Sequence, residues 1–163
     1  RPNPSERTDR DRQQALEGKG KPDDDPMLRS VIVLSGANRQ DPAQQDAGYL
    51  TAREASRLQL DGTRLVTLSA CDSGKGSIEL GEGVYGLRRA LAVAGAESTL
   101  LSLWKVDDRA TRALMDSFYG ELAKGKSPEQ ALRTAQQTMR KHERRDWRTP
   151  YVWAAFQLYG RSW

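Results

Sequence analysis

Apolar positions along the chain gather into short continuous runs and into helix-spaced sets, and their order predicts an alternation of strands and helices. The first run, Val31 to Leu34 after Ser30, has strand length. A stretch rich in turn formers, Ser35 to Tyr49, reads as a surface loop. Thr51 as N-cap with Glu54 as its capping-box partner predicts a short helix introduced by Leu50 and Thr51 and ending near Leu58. Asp61 and Gly62 turn the chain into a strand over 64–70. From Glu82 to Ala94, Val84, Leu87, Leu91 and Ala94 recur at helical spacing, and Gly95 stops the helix. Ser98 to Trp104 is continuous and mostly apolar, as expected of a strand covered on both faces and parallel to its predecessor. Asp107 then caps a helix with Ala110, Leu114, Phe118 and Leu122 on one face, ended by Gly125. Ser127, Pro128 and Gln130 open the next helix, whose Leu132, Ala135 and Met139 face inward and which fades into Lys141 to Arg148. Pro150 to Gly160 reads as a closing strand.

Strand, helix, strand, helix, helix, strand defines an α/β sandwich with parallel strands and right-handed crossovers. Reactive groups in such sheets gather at the carboxyl ends of the strands. Cys71 lies at one such end and the turn from Trp104 to Asp107 at the next, so the two are expected to face each other across a shared cleft.

Residues 1–26 change the picture at the start of the chain. They hold Pro2, Pro4, Pro22, Pro26, Gly18 and Gly20 among many charges, with only Ala15 and Leu16 apolar, and are expected to form a flexible loop or tail. The remaining 27–163 suffices for one domain with a real core. The sequence has no apolar run near the roughly 18 residues that cross a bilayer, so no membrane is expected. One cysteine cannot form an internal disulfide, and a cytoplasmic setting is expected. Lys and Arg number 26 against 22 Asp and Glu, a net charge of +4 concentrated in local clusters, which does not call for nucleic acid.

Cys71 is the candidate centre of chemistry. It leaves an apolar run, Leu65 to Ala70, and enters a loop containing Gly74 and Gly76 that leads to a helix. Free backbone amides and the positive end of a helix favour the thiolate, the attacking form. A buried cysteine is also a small apolar core residue, and pattern alone leaves these readings balanced. A phosphate loop is excluded: the position five before Gly74 is Ser69 rather than glycine, and Gly76 rather than Ser or Thr follows Lys75. A thiol needs a base, and the one histidine, His142, sits in a charged run from Arg140 to Arg145 that reads as a solvated surface. That run with Arg148 also resembles a phosphate-contacting patch, the solvated helix end being the better reading.

Four segments together carry a more specific signal: Leu68 to Gly74, Gly81 to Val84, Ala94 to Ala96, and Ser102 to Asp108. They resemble the CHAT domain, a caspase-like family, and matches continue through Thr111, Leu114, Phe118, Ala131 and the run from Pro150 to Phe156. The resemblance covers roughly 26–160. It implies a caspase-like three-layer sandwich with a mainly parallel central sheet, incomplete at its N-terminal side, and a cysteine endopeptidase with Cys71 as nucleophile. In that clan a histidine followed by glycine, at the end of a preceding strand, activates the cysteine. This chain has no such pair, so the base is expected from upstream sequence, with residues 1–25 representing the loop beyond it. A shortened chain, a processed fragment whose partner carries the histidine, and an inactive relative remain open.

The resemblance makes the residue two before the nucleophile, Ser69, a specificity position, and Asp72, Trp104 and Asp107 are the further candidate substrate-binding residues. Relatives that prefer basic residues carry a carboxylate where Ser69 stands, so a basic preference here requires Asp72, Asp107 or Asp108 to reach the pocket. Trp104 is equally a pocket wall or a core residue. No cofactor and no metal are expected. The expected partners are a protein or peptide substrate, the missing N-terminal part of the same domain, and an upstream helical-repeat sensor. The competing reading is a catalytically inactive regulatory or protein-interaction module on the same fold.

Overall fold

A computed structural model describes residues 30–35, 37, 48–69 and 82–161, which group into two compact units, 30–63 with 82–96 and 64–69 with 97–161.

In the first unit, strand β1 (Val31–Val33) pairs antiparallel with β2 (Tyr49–Thr51), Val31 opposite Thr51 and Val33 opposite Tyr49. The expected loop therefore gives way to a strand before the helix. Tyr and Thr suit a strand, and Thr51 serves two elements because its extended backbone (φ −72°, ψ 155°) fits both a strand end and an N-cap. The capping box is present: Thr51 Oγ1 accepts from the Glu54 amide at 3.2 Å while the Glu54 carboxylate accepts from the Thr51 amide at 2.9 Å. Helix α1 is a single turn, Ala52–Ala55, and stops short of Leu58. The following amides of Arg57 and Leu58 reach back only three residues, to Glu54 and Ala55, and the Ser56 hydroxyl donates to the Arg53 carbonyl. Helix α2 (Glu82–Val93) ends as expected at Gly95, whose φ of 104° permits bonds from its own amide to Ala92 and from Ala96 to Leu91. Among the described residues of this unit, Ala52, Ala55 and Ala90 form a buried cluster, with Leu50 and Leu87 packed against them.

The second unit is a three-stranded sheet in the order β3 (Leu65–Leu68), β4 (Ser98–Ser102), β5 (Phe156–Gly160). β4 is buried along its whole length, as its apolar run predicts. β3 and β4 are parallel, with Leu65 opposite Ser98 and Leu68 opposite Leu101, whereas β5 runs antiparallel to β4. The described sheet is thus mixed rather than mainly parallel. Between β4 and β5 lie two long helices, α3 (Asp108–Ala123) and α4 (Pro128–Arg140), followed by shorter helical turns. A helical hairpin leads out and back, so the chain re-enters the sheet at the end from which it left and the next strand runs the opposite way.

Both helices have the punctuation read from sequence. Asp107 accepts from the amides of Arg109 and Ala110, Gly125 adopts φ 84° beyond α3, and Ser127, Pro128 and Gln130 open α4 with a second capping box. Ala110, Leu114 and Phe118 of α3 and Leu132, Ala135 and Met139 of α4 are buried with Leu100, Phe156 and Trp147; Leu122 is half-buried against them. The run from Pro150 departs from expectation. Pro150–Trp153 is a helical turn, α5, and only Phe156–Gly160 is strand. Proline preset for the first helical position explains the turn, and Val152 anchors it in the core.

Candidate functional site

The parallel register brings the carboxyl ends of β3 and β4 side by side, because Leu68, the last residue of β3, lies opposite Leu101. Ser69 follows directly and is exposed. Cys71 and Asp72 lie outside the described residues.

The exit of β4 is tightly fastened. The Leu103 amide donates to the Ala155 carbonyl at 2.8 Å, and the Ser102 hydroxyl donates to the Trp104 carbonyl at 2.8 Å. The Trp104 indole Nε1 donates to the Tyr151 carbonyl at 2.7 Å, and the two rings lie 5.9 Å apart, tilted by 30°. Trp104 is half-buried and packs against the core cluster, so it is both a core contact and a partly open face. Asp107 is committed to its helix: Oδ1 accepts from Arg109 at 3.1 Å and from Ala110 at 3.0 Å. Such a cap fixes the start of α3 and leaves the carboxylate less able to serve a substrate cation. Of the expected site residues, the structure therefore places Ser69, Trp104 and Asp107 at one end of one sheet.

His142 is held elsewhere. Its Nδ1 accepts from the Arg144 amide at 3.2 Å, and its ring lies 4.5 Å from that of Trp147. The Arg144 guanidinium covers Trp147 at 4.6 Å and bonds Asp146, Arg148 donates to the carbonyls of His142 and Glu143, and Arg140 lies over Trp153 at 5.5 Å. Hydrogen bonding to Asp146 holds Arg144 above its ordinary pKa, and the same bond holds the Asp146 carboxyl below the usual range. These arginines fasten the segment after α4, which favours the solvated helix end over a phosphate patch. Sequence reasoning missed Tyr151, since the run containing it reads as strand; Pro150 was the signal for a helical turn. Among the described residues no group of three or more His, Cys, Asp and Glu is placed to hold a metal, and no helix is long and apolar enough to cross a membrane.

The described architecture is mixed α/β, with Ser69 and Trp104 at adjoining strand ends. The profile of the CHAT domain matches residues 18–161, and the chain belongs to that family. It is 32% identical over 111 residues to tetratricopeptide repeat protein 28 of Homo sapiens and 31% identical over 111 residues to the Mus musculus protein of that name. Each match takes in 68% of this chain and 4% of the relative, so the chain spans a small part of the proteins it resembles. No solved structure matches it.

Proposed function

We propose that this chain is the nucleophile-bearing part of a caspase-like cysteine endopeptidase, in which Cys71 attacks the carbonyl carbon of a peptide bond. A histidine outside the chain takes the thiol proton, the carbon–sulfur bond forms as the carbonyl electrons move to oxygen, and the Cys71 amide donates to that oxygen. Collapse expels the amine with a proton from the histidine, and water then hydrolyses the thioester. The family match carries this reading, because it spans Cys71 and both strand exits. The adjoining carboxyl ends of β3 and β4 support it, being where an α/β sheet presents reactive groups.

The fold proposed is a caspase-like three-layer sandwich over 27–163, with 1–26 as a flexible tail. Its sheet is completed on the β3 side by a strand from upstream sequence that ends in the missing histidine. β3 suits this role, since it is the edge of the described sheet and all four of its residues are half-buried. His142 does not suit the role of base, as its Nδ1 is occupied and its ring is held against Trp147. Ser69, Asp72, Trp104 and Asp107 border the substrate. The repeat proteins among its relatives support an upstream helical-repeat module as sensor, in a cytoplasmic protein.

The second reading is an inactive interaction module, favoured by the engagement of the one histidine. An electrophilic peptide probe separates the two. Applied to this chain and to a form extended upstream, with Cys71→Ala as control, it labels Cys71 in the extended form if the peptidase reading holds. Absence of labelling in both forms overturns that reading.

A further inference from the structure

We propose that Trp104 and Tyr151 form an aromatic shelf that receives an aromatic side chain of a bound peptide, and so set the preference of the site for such a residue beside the bond to be cut. This rests on the peptide-cleaving reading above, and Tyr151 is the residue it adds. Leu68, after which the chain runs on to Cys71, lies opposite Leu101, and Trp104 follows Leu101 by three residues, so the shelf stands at the exit of β4 beside the exit of β3.

The shelf is rigid before anything binds. Trp104 is fixed by its indole bond to the Tyr151 carbonyl, by the Ser102 hydroxyl on its own carbonyl and by its packing on the core. Tyr151 is carried on α5, whose next residue, Val152, is buried. A ring stacking there loses only its own freedom. The shelf is also open: Tyr151 is 61% exposed, a large aromatic surface without cover among the described residues.

The surrounding charge argues for an aromatic guest over a basic one. Ser69 is neutral, Asp107 is engaged with two amides of α3, and Lys105 and Arg109 flank the turn. Asp108 is solvated and followed by Arg109 and Arg112. Among the described residues a lysine or arginine would find ring faces but no carboxylate free of neighbouring cations, whereas an aromatic ring gains from offset or tilted stacking alone.

The test follows the Trp104 indole N–H resonance, assigned by its loss in Trp104→Phe, while the Cys71→Ala chain is titrated with blocked tripeptides bearing Phe, Lys or Ala at the centre. The Phe peptide is expected to shift this resonance at concentrations about tenfold lower than the Ala peptide, the scale of one stacked ring pair. Tyr151→Phe should keep that preference and Tyr151→Ala should reduce it to within about twofold. Equal response to the three peptides, response to none, or an unchanged preference in Tyr151→Ala overturns the proposal. Electrophilic probes with the same three side chains, applied to the upstream-extended form with its thiol intact, keep the two readings apart. An unreactive thiol with the Phe-selective shift retained removes the peptidase and leaves the shelf; a reactive thiol indifferent to the side chain does the reverse.

Discussion

The unit containing α1 and α2 and the unit containing the three-stranded sheet bury different kinds of side chain. Among the described residues the first closes around Ala52, Ala55 and Ala90, with Leu91 also buried, whereas the second closes around Phe118, Phe156, Leu100, Leu114 and Met139. At about 0.8 kcal/mol per buried methylene, alanine contacts let backbones approach closely but contribute little driving force. Order in the first unit therefore depends on backbone bonds at element ends, and order in the second depends on side-chain burial. Truncation is the strongest way to break that contrast. Phe118→Ala should cost about 3–5 kcal/mol in urea unfolding and Leu87→Ala, at a half-buried site, about 1–2 kcal/mol. Similar losses would show that the two cores carry equal weight.

Glycines sharpen the same comparison at smaller scale. Gly160 closes β5 with φ 112°, and a Cβ there would press on the Glu97 carbonyl and lie 2.8 Å from Ser98 Cα. Gly62, in the turn before β3, has φ 80° but open space around it. Gly160→Ala should cost about 2–4 kcal/mol, strain plus clash, and Gly62→Ala about 1 kcal/mol of strain alone. Thermal unfolding of the two variants side by side checks the order.

Capping residues come next. Thr51→Ala and Ser127→Ala each remove a cap worth about 1 kcal/mol, but the consequences should differ in kind. α1 is one turn with nothing else to propagate it, so hydrogen exchange of its amides should rise throughout. α4 has 13 residues and a buried face from Ala131 to Met139, so only its first turn should exchange faster. Protection lost along the whole of α4 would assign it the same dependence on its cap.

What could be read from sequence were these local devices: both capping boxes, the glycines beyond α2 and α3, the Asp107 cap, and the inward faces of the helical hairpin. Each is set by residues within a turn of one another. β2 was hidden because three residues between a loop and an N-cap are too few to show alternation, and the Val31–Thr51 pairing that makes them a strand joins distant positions. The direction of β5 was hidden for a related reason, since it follows from the hairpin returning the chain to the end of the sheet it had left. At the candidate site the places of Ser69, Trp104 and Asp107 were legible from the strand ends. Tyr151 was not, because its contact with Trp104 joins residues 47 apart.

The smallest expected effect concerns charge at the end of α3. The Glu121 carboxylate, with a side chain only 13% exposed, bonds Lys124 at 2.6 Å and also pairs with Lys126, just beyond the glycine that ends the helix. The hydrogen bond from Lys124, then that from Lys126, holds its pKa below the usual carboxylate value. A folded-state value below the unfolded one means that the unfolded chain binds the proton more readily. The resulting stabilisation is therefore complete above the ordinary carboxylate range and is lost as the pH falls through the lowered folded value. Urea midpoints of the parent and Glu121→Gln should differ modestly at neutral pH and converge in acid. Lys124 is largely solvated and Lys126 partly so, and added salt should shrink the neutral-pH difference too. A difference that persists in acid would assign the role of Glu121 to packing, placing this helix end with the side-chain order of its own core rather than with the end-bonded order of the alanine unit.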